Sequence, residues 1–280
     1  MKKLISGLLK IIVLVVVSFI VNAITGIFFP LSFDMLSLLS IEEQPLFMPL
    51  ALLNSFITMV VMYITLNSLK FKGWKLFLAV SISFFGLFSV MNEIEILWFI
   101  EAFPLFTVTD VVKMLFTYLL LYGVTALVGT LLVKGFKKEE EERAIVFDAG
   151  HSGWKIGLFV ILYPLFYYAC GFIAWAFPAT RELYSGWAVS SEPTYVLLLF
   201  NVFRGSLWFL FSLPILLGIK TKKQAFWLFP IILVMATAGA LIIPNAAMPA
   251  MVRLAHGIEL TFSMTIIGIF MVWFFLREKN

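Results

Sequence analysis

Charged residues are scarce in this chain. Asp, Glu, Lys and Arg make up 13% of its 280 residues, where a soluble domain carries about a quarter. Such a composition excludes an extensive solvated surface. Cysteine occurs once, as Cys170, which rules out an intrachain disulfide and a thiolate metal cluster. Histidine occurs twice, as His151 and His256. Only His256 lies in an apolar run, so a membrane-embedded bis-histidine haem is excluded, and no cofactor is expected.

Apolar side chains are what is abundant. The chain is 62% hydrophobic with a mean hydropathy of +1.05, and runs of about 20 apolar residues recur from end to end, the length a helix needs to cross a bilayer. An all-α polytopic membrane protein follows, with membrane lipid as its first partner. The net charge of +4 and pI near 9.1 do not point to nucleic acid. The basic residues sit in short clusters between apolar runs, where membrane topology places them.

The opening MKKLISGLLKIIVLVVVSFIVNA has the basic start and small-residue end of a signal peptide. Its apolar run continues to Pro30, too long for a signal core, so it reads as a retained first span. Eight spans are expected, roughly 4–29, 46–69, 74–100, 109–135, 154–177, 193–218, 224–243 and 250–276. Basic clusters fall at Lys2/Lys3, Lys70/Lys72/Lys75, Lys134/Lys137/Lys138/Arg143, Lys220/Lys222/Lys223 and Arg277/Lys279. These are alternate connections, so the positive-inside rule puts them and both termini in the cytoplasm of a protein in the inner or plasma membrane. The opposite connections carry Asp34, Glu42, Glu43, Glu101, Arg181, Glu182 and Glu192.

The run KKEEEER at Lys137–Arg143 divides the chain into a first half at 1–135, a charged cytoplasmic linker at 136–153 and a second half at 154–280. The halves share landmarks. Each first span ends in Phe-Pro, at Pro30 and Pro178, and each second span begins at an asparagine, Asn54 or Asn201, 147 residues apart. Each third span ends at an asparagine, Asn92 or Asn245, and each fourth opens with a basic residue, Lys113 or Arg253, 140 apart. These matches predict two four-helix repeats in parallel orientation, related by an axis along the membrane normal.

Asn54, Asn92, Lys113, Asn201, Arg253 and Asn245 all fall in the outer third of the membrane, as do Glu93, Glu95, Asp110 and Arg204. His256 and Glu259 lie one to two turns deeper. A charge at the bilayer centre costs about 2.5–3.5 kcal/mol on insertion scales, so such groups face the interior or a wet cavity. At about 100° per residue, Arg253, His256, Glu259 and Ser263 share one stripe about 120° wide. Asn201, Arg204, Trp208 and Ser212 form a second stripe, and Asp110, Lys113 and Thr117 a third. Glu95 lies on the Asn92 side of its helix while Glu93 points away, to a neighbouring helix or the interface.

Several chemistries use such residues. Metal ligation is weakly supported: His256 and Glu259 supply two ligands at helical spacing, but adjacent arginines repel a cation and no third ligand is evident. Nucleophilic catalysis has Ser263, Ser191, Thr194 and Ser206 nearby, without a recognisable surrounding motif. The short loop around His151 lacks the lysine of a phosphate-binding motif. Trp74, Trp154, Trp187 and Tyr184 read as interfacial anchors. The leading expectation is an outward-facing pocket that binds, and can transport, a small charged or amphiphilic ligand. In it Arg204, Arg253 and Lys113, with Asn54, Asn92, Asn201 and Asn245, hold the anionic part, while His256, Glu259 and Glu95 handle protons. The alternatives are an enzyme acting on outer-leaflet lipid with His256, Glu259 and Glu95 as acid–base groups, and a structural subunit in which these charges only join helices.

Overall fold

A computed structural model describes residues 2–133, 145–147, 152–185 and 194–278. The charged linker around Lys137–Arg143, together with His151, Trp187, Ser191, Glu192 and Lys279, lies outside the described residues.

Helix α1 (Lys2–Phe28) is a single apolar helix. A short turn, α2 (Met35–Leu38), capped by the Asp34 carboxylate on Leu36 N, leads to α3 (Gln44–Ser68). Only four residues separate α3 from α4 (Gly73–Phe85). The reversal needs a positive φ at Gly73 (58°), which glycine adopts without a side-chain clash. A π-helical turn at Gly86–Val90 carries α4 into α5 (Met91–Trp98). That turn accommodates one extra residue and rotates the face of everything beyond it. It sits where Phe211 presses on Gly86, so closely that a Cβ there would lie 2.0 Å from the ring. Helix α6 (Val108–Val133) ends the first half.

The second half contains α7 (Ser152–Trp175), the short amphipathic α8 (Pro178–Ser185), α9 (Thr194–Gly218), α10 (Lys222–Thr237) and α11 (Ala250–Phe275). Strand β1 (Ile145–Phe147) pairs antiparallel with β2 (Leu276–Glu278) beyond the end of α11. Among the described residues seven helices are long and apolar enough to cross a membrane, which makes this an all-α, multi-pass integral membrane protein. The segment expected as span seven, 224–243, differs: α10 stops at 16 residues and the chain tightens into a 3₁₀ turn at Gly239–Ile242. Large side chains such as Ile5, Ile82, Phe172, Leu210 and Trp273 stand open around the bundle, as a lipid-facing surface requires.

Some packing partners correspond between the first and second halves of the chain. In the first half α1 lies against α3 and α6, and α6 against α4; in the second α7 lies against α9 and α11, and α11 against α10. The halves meet where α4 packs on α9 and α3 on α10. At the lysine-rich end, Leu69 and Ile219 form a reciprocal antiparallel bridge: Lys70 N donates to Gly218 O at 2.7 Å and Lys220 N to Ser68 O at 3.2 Å. Buried Leu66, Leu76, Phe84, Leu216, Leu228 and Phe229 fill the core around this junction.

Candidate functional site

Two arginines that the sequence assigns to an anionic ligand each hold a carboxylate of the chain itself. Arg204 on α9 grips Glu95 of α5 with both terminal nitrogens, Nη1 to Oε1 at 3.2 Å and Nη2 to Oε2 at 2.7 Å. Its guanidinium also lies over the rings of Tyr167, at 5.3 Å, and Phe200, at 5.7 Å. The paired fork and the two aromatic faces fix one geometry for a cation that cannot deprotonate. Arg253, at the start of α11, donates to Glu43 Oε1 at 2.8 Å and to Met248 O at 2.8 Å. Glu43 precedes α3, so this bond ties the two halves together on the face opposite the lysine clusters. The hydrogen bond from Arg253 holds the Glu43 carboxyl below its ordinary range.

His256 and Glu259 meet as their spacing predicts, Nδ1 to Oε2 at 3.4 Å. Ser263 Oγ extends the row towards Glu259 Oε1 at 3.5 Å. Tyr184 of α8 completes it, with its hydroxyl 2.6 Å from His256 Nε2. This tyrosine differs from the simple interfacial anchor expected of it. Burial, reinforced by the Glu95 and Glu259 carboxylates, pushes its pKa up, so the phenol keeps its proton at neutral pH. A carboxylate only accepts, so the tautomer that satisfies both contacts donates from Nδ1 to Glu259 and accepts at Nε2 from the Tyr184 hydroxyl. Arg181 anchors α8 by donating to Trp175 O and Ala176 O at the end of α7, and Trp175 stacks on Tyr184.

These pieces form one cluster. Tyr167 feels Glu95, Arg204 and Tyr184, and Tyr163 feels Arg204, Glu95 and Glu259. The Arg204–Glu95 pair of α9 and α5, with Asn201 one turn before Arg204, is thus joined to Glu259 and His256 of α11 through Tyr163 and Tyr167 of α7 and Tyr184 of α8. Two atoms in the cluster have unspent bonding capacity. Arg204 Nε and Asn201 Oδ1 are buried and have no hydrogen-bond partner among the described residues.

The other expected residues stand elsewhere. Lys113 donates to Pro30 O at 2.6 Å, and the neighbouring Asp110 binds Ser32 and Thr107 through backbone and hydroxyl groups, so both tie the α1–α2 connection to α6. Asn92 spans the two halves, Nδ2 to Ala236 O at 3.2 Å. Asn245 Oδ1 accepts from Met248 N ahead of α11. Asn54 Oδ1 faces Gly239 and is buried without a partner among the described residues. Glu93 points away from Asn92 as expected, but into the protein, where it is 2% exposed and lies within electrostatic reach of Tyr118 and Tyr122. No group of three His, Cys, Asp or Glu side chains is placed to hold a metal among the described residues.

One ion-pair partner went unread in the sequence: Glu43 lies 210 positions before Arg253, with no local pattern linking them. Buried Lys155, far from this site at the other end of α11, donates to Phe274 O at 2.9 Å. Comparison with protein-family models, with curated proteins and with solved structures found no match to this chain.

Proposed function

We propose that this is an eight-pass membrane protein of two like-oriented halves, whose second half binds a small charged or amphiphilic ligand from the non-cytoplasmic side. At 1.5 Å per residue α10 covers about 24 Å, and the 3₁₀ turn adds about 8 Å, enough together for an eighth crossing. The corresponding packing partners and the reciprocal Leu69–Ile219 bridge, at positions 150 apart, support the duplication. The alternation of lysine clusters supports cytoplasmic termini.

The observation that carries the ligand reading is the unspent hydrogen-bonding capacity of Arg204 Nε and Asn201 Oδ1. Buried polar atoms are rarely left without partners, and these two lie one helical turn apart on α9, with Tyr163 of α7 within electrostatic reach of both Arg204 and Glu259. In this reading Arg204 and Asn201 take the polar part of the ligand. Tyr184, His256, Glu259 and Ser263 form a proton-conducting row next to it. The same row supports a second reading, an enzyme acting on lipid with His256 as its acid–base group.

Native mass spectrometry of the full chain purified from its own membranes tests the proposal. A small species retained by wild type and lost from folded Arg204→Met and Asn201→Ala supports binding there. Identical spectra for all three overturn it. A species retained in His256→Ala but no longer converted to product selects the enzyme. For sidedness, a cysteine at exposed Ser185 should label in intact cells with an impermeant reagent, since native Cys170 is buried; failure reverses the orientation.

A further inference from the structure

A groove between α4 and α9, on the lipid-facing surface near the lysine-rich end, has a different character from the cluster above. It encloses about 520 Å³ and is walled by Leu78, Ile82, Leu210, Phe211 and Leu217, with Lys75 as its charged member. Leu78, Ile82 and Leu210 are each about half exposed. On α4 the positions 75, 78, 79 and 82 form one helical face, so the groove follows that helix from Lys75 inward for about 10 Å. Phe211, packed on Gly86, lines it further along. Pro214 in the α9 wall lacks a backbone donor and so leaves the Leu210 carbonyl without its helical partner. Phe71 lines the mouth, with Lys70 Nζ 5.4 Å from its ring. A second surface groove, about 460 Å³ between α1 and α6 near the same end, repeats the chemistry with Ile5, Leu9, Val13, Leu132 and Lys10.

We infer that the α4–α9 groove is a binding site for an anionic phospholipid of the leaflet at the lysine-rich face. An acyl chain lies along Leu78, Ile82 and Leu210, and the phosphate meets Lys75 at the mouth. The apolar length and the lysine at headgroup level together match one amphiphile with a negative head. Lipid faces this surface in any case; the lysine and its basic neighbours select the charge.

The full chain is reconstituted in mixed micelles with equimolar phosphatidylglycerol and phosphatidylcholine, and retained lipid is counted by native mass spectrometry. Wild type should retain phosphatidylglycerol preferentially. Lys75→Gln should reduce that preference about fivefold, the effect of one basic residue at an anionic surface, and Lys75→Arg should restore it. Leu210→Trp, which fills the groove from its lipid-facing wall without touching the core, should lower retention of both lipids. Equal retention of the two lipids by wild type, or unchanged retention in folded Leu210→Trp, overturns the site. Lys75→Gln behaving as wild type overturns the headgroup assignment.

Discussion

Breaking the Arg204–Glu95 pair from its two sides should give unequal results, because the partners sit in unequal surroundings. The Arg204 side chain is 6% exposed and that of Glu95 34%. Glu95→Leu strands a guanidinium that stays charged and is clamped between Tyr167 and Phe200, away from water. Removing one partner of a buried pair costs about 3–5 kcal/mol. Arg204→Met instead leaves a carboxylate that is one-third open, able to hydrate or take up a proton. The loss should be about 1–2 kcal/mol, that of a charged hydrogen bond where water can substitute. The double variant Glu95→Leu/Arg204→Met strands no charge and should fall within about 1 kcal/mol of wild type, making it more stable than Glu95→Leu alone. Denaturant titration in mild detergent measures all four proteins. Equal losses from the two single changes, or simple additivity in the double, would refute this account. The double variant also separates folding from binding, since it should be folded and yet lack the ligand of the proposed cluster.

Other consequences concern individual contacts. Glu43 is held below its ordinary pKa by Arg253, so its stabilising bond is fully present above the usual carboxylate range and lost as pH falls through the lowered value; Glu43→Gln should flatten that acid limb in melting temperature against pH. Gly86→Ala places a Cβ 2.0 Å from Phe211 and should cost about 1–3 kcal/mol, recovered in part by Phe211→Ala, whereas Gly268→Ala meets the Pro230 backbone at 2.7 Å and should have no such rescue. Tyr184→Phe removes the 2.6 Å bond to His256, costing about 0.5–1.5 kcal/mol, and should speed amide exchange across α8; unchanged exchange would show that Arg181 and Trp175 hold α8 without it.

The class of the protein was legible in its residues one by one, because each span must satisfy its own backbone and shed its own charges. Apolar run length and lysine alternation are local quantities. Helical spacing likewise brought His256 to Glu259 without reference to any other helix. Where the local rule changed, expectation and structure parted. The 3₁₀ turn at Gly239–Ile242 shortened α10, and the π turn begins at Gly86, where Phe211 of the other half packs.

Partner choice depended on tertiary structure. Arg204 and Arg253 read as two cations on two stripes, for a ligand or for another helix, and only packing put Glu95 against one and Glu43 against the other. Tyr184 looked like an anchor until α8 folded back over α11. Sequence alone determined that polar groups must gather within an apolar bundle, because the bilayer makes an isolated charge costly. Which of them neutralise one another, and which keep a donor or acceptor unspent, was decided by helix positions that no local spacing encodes.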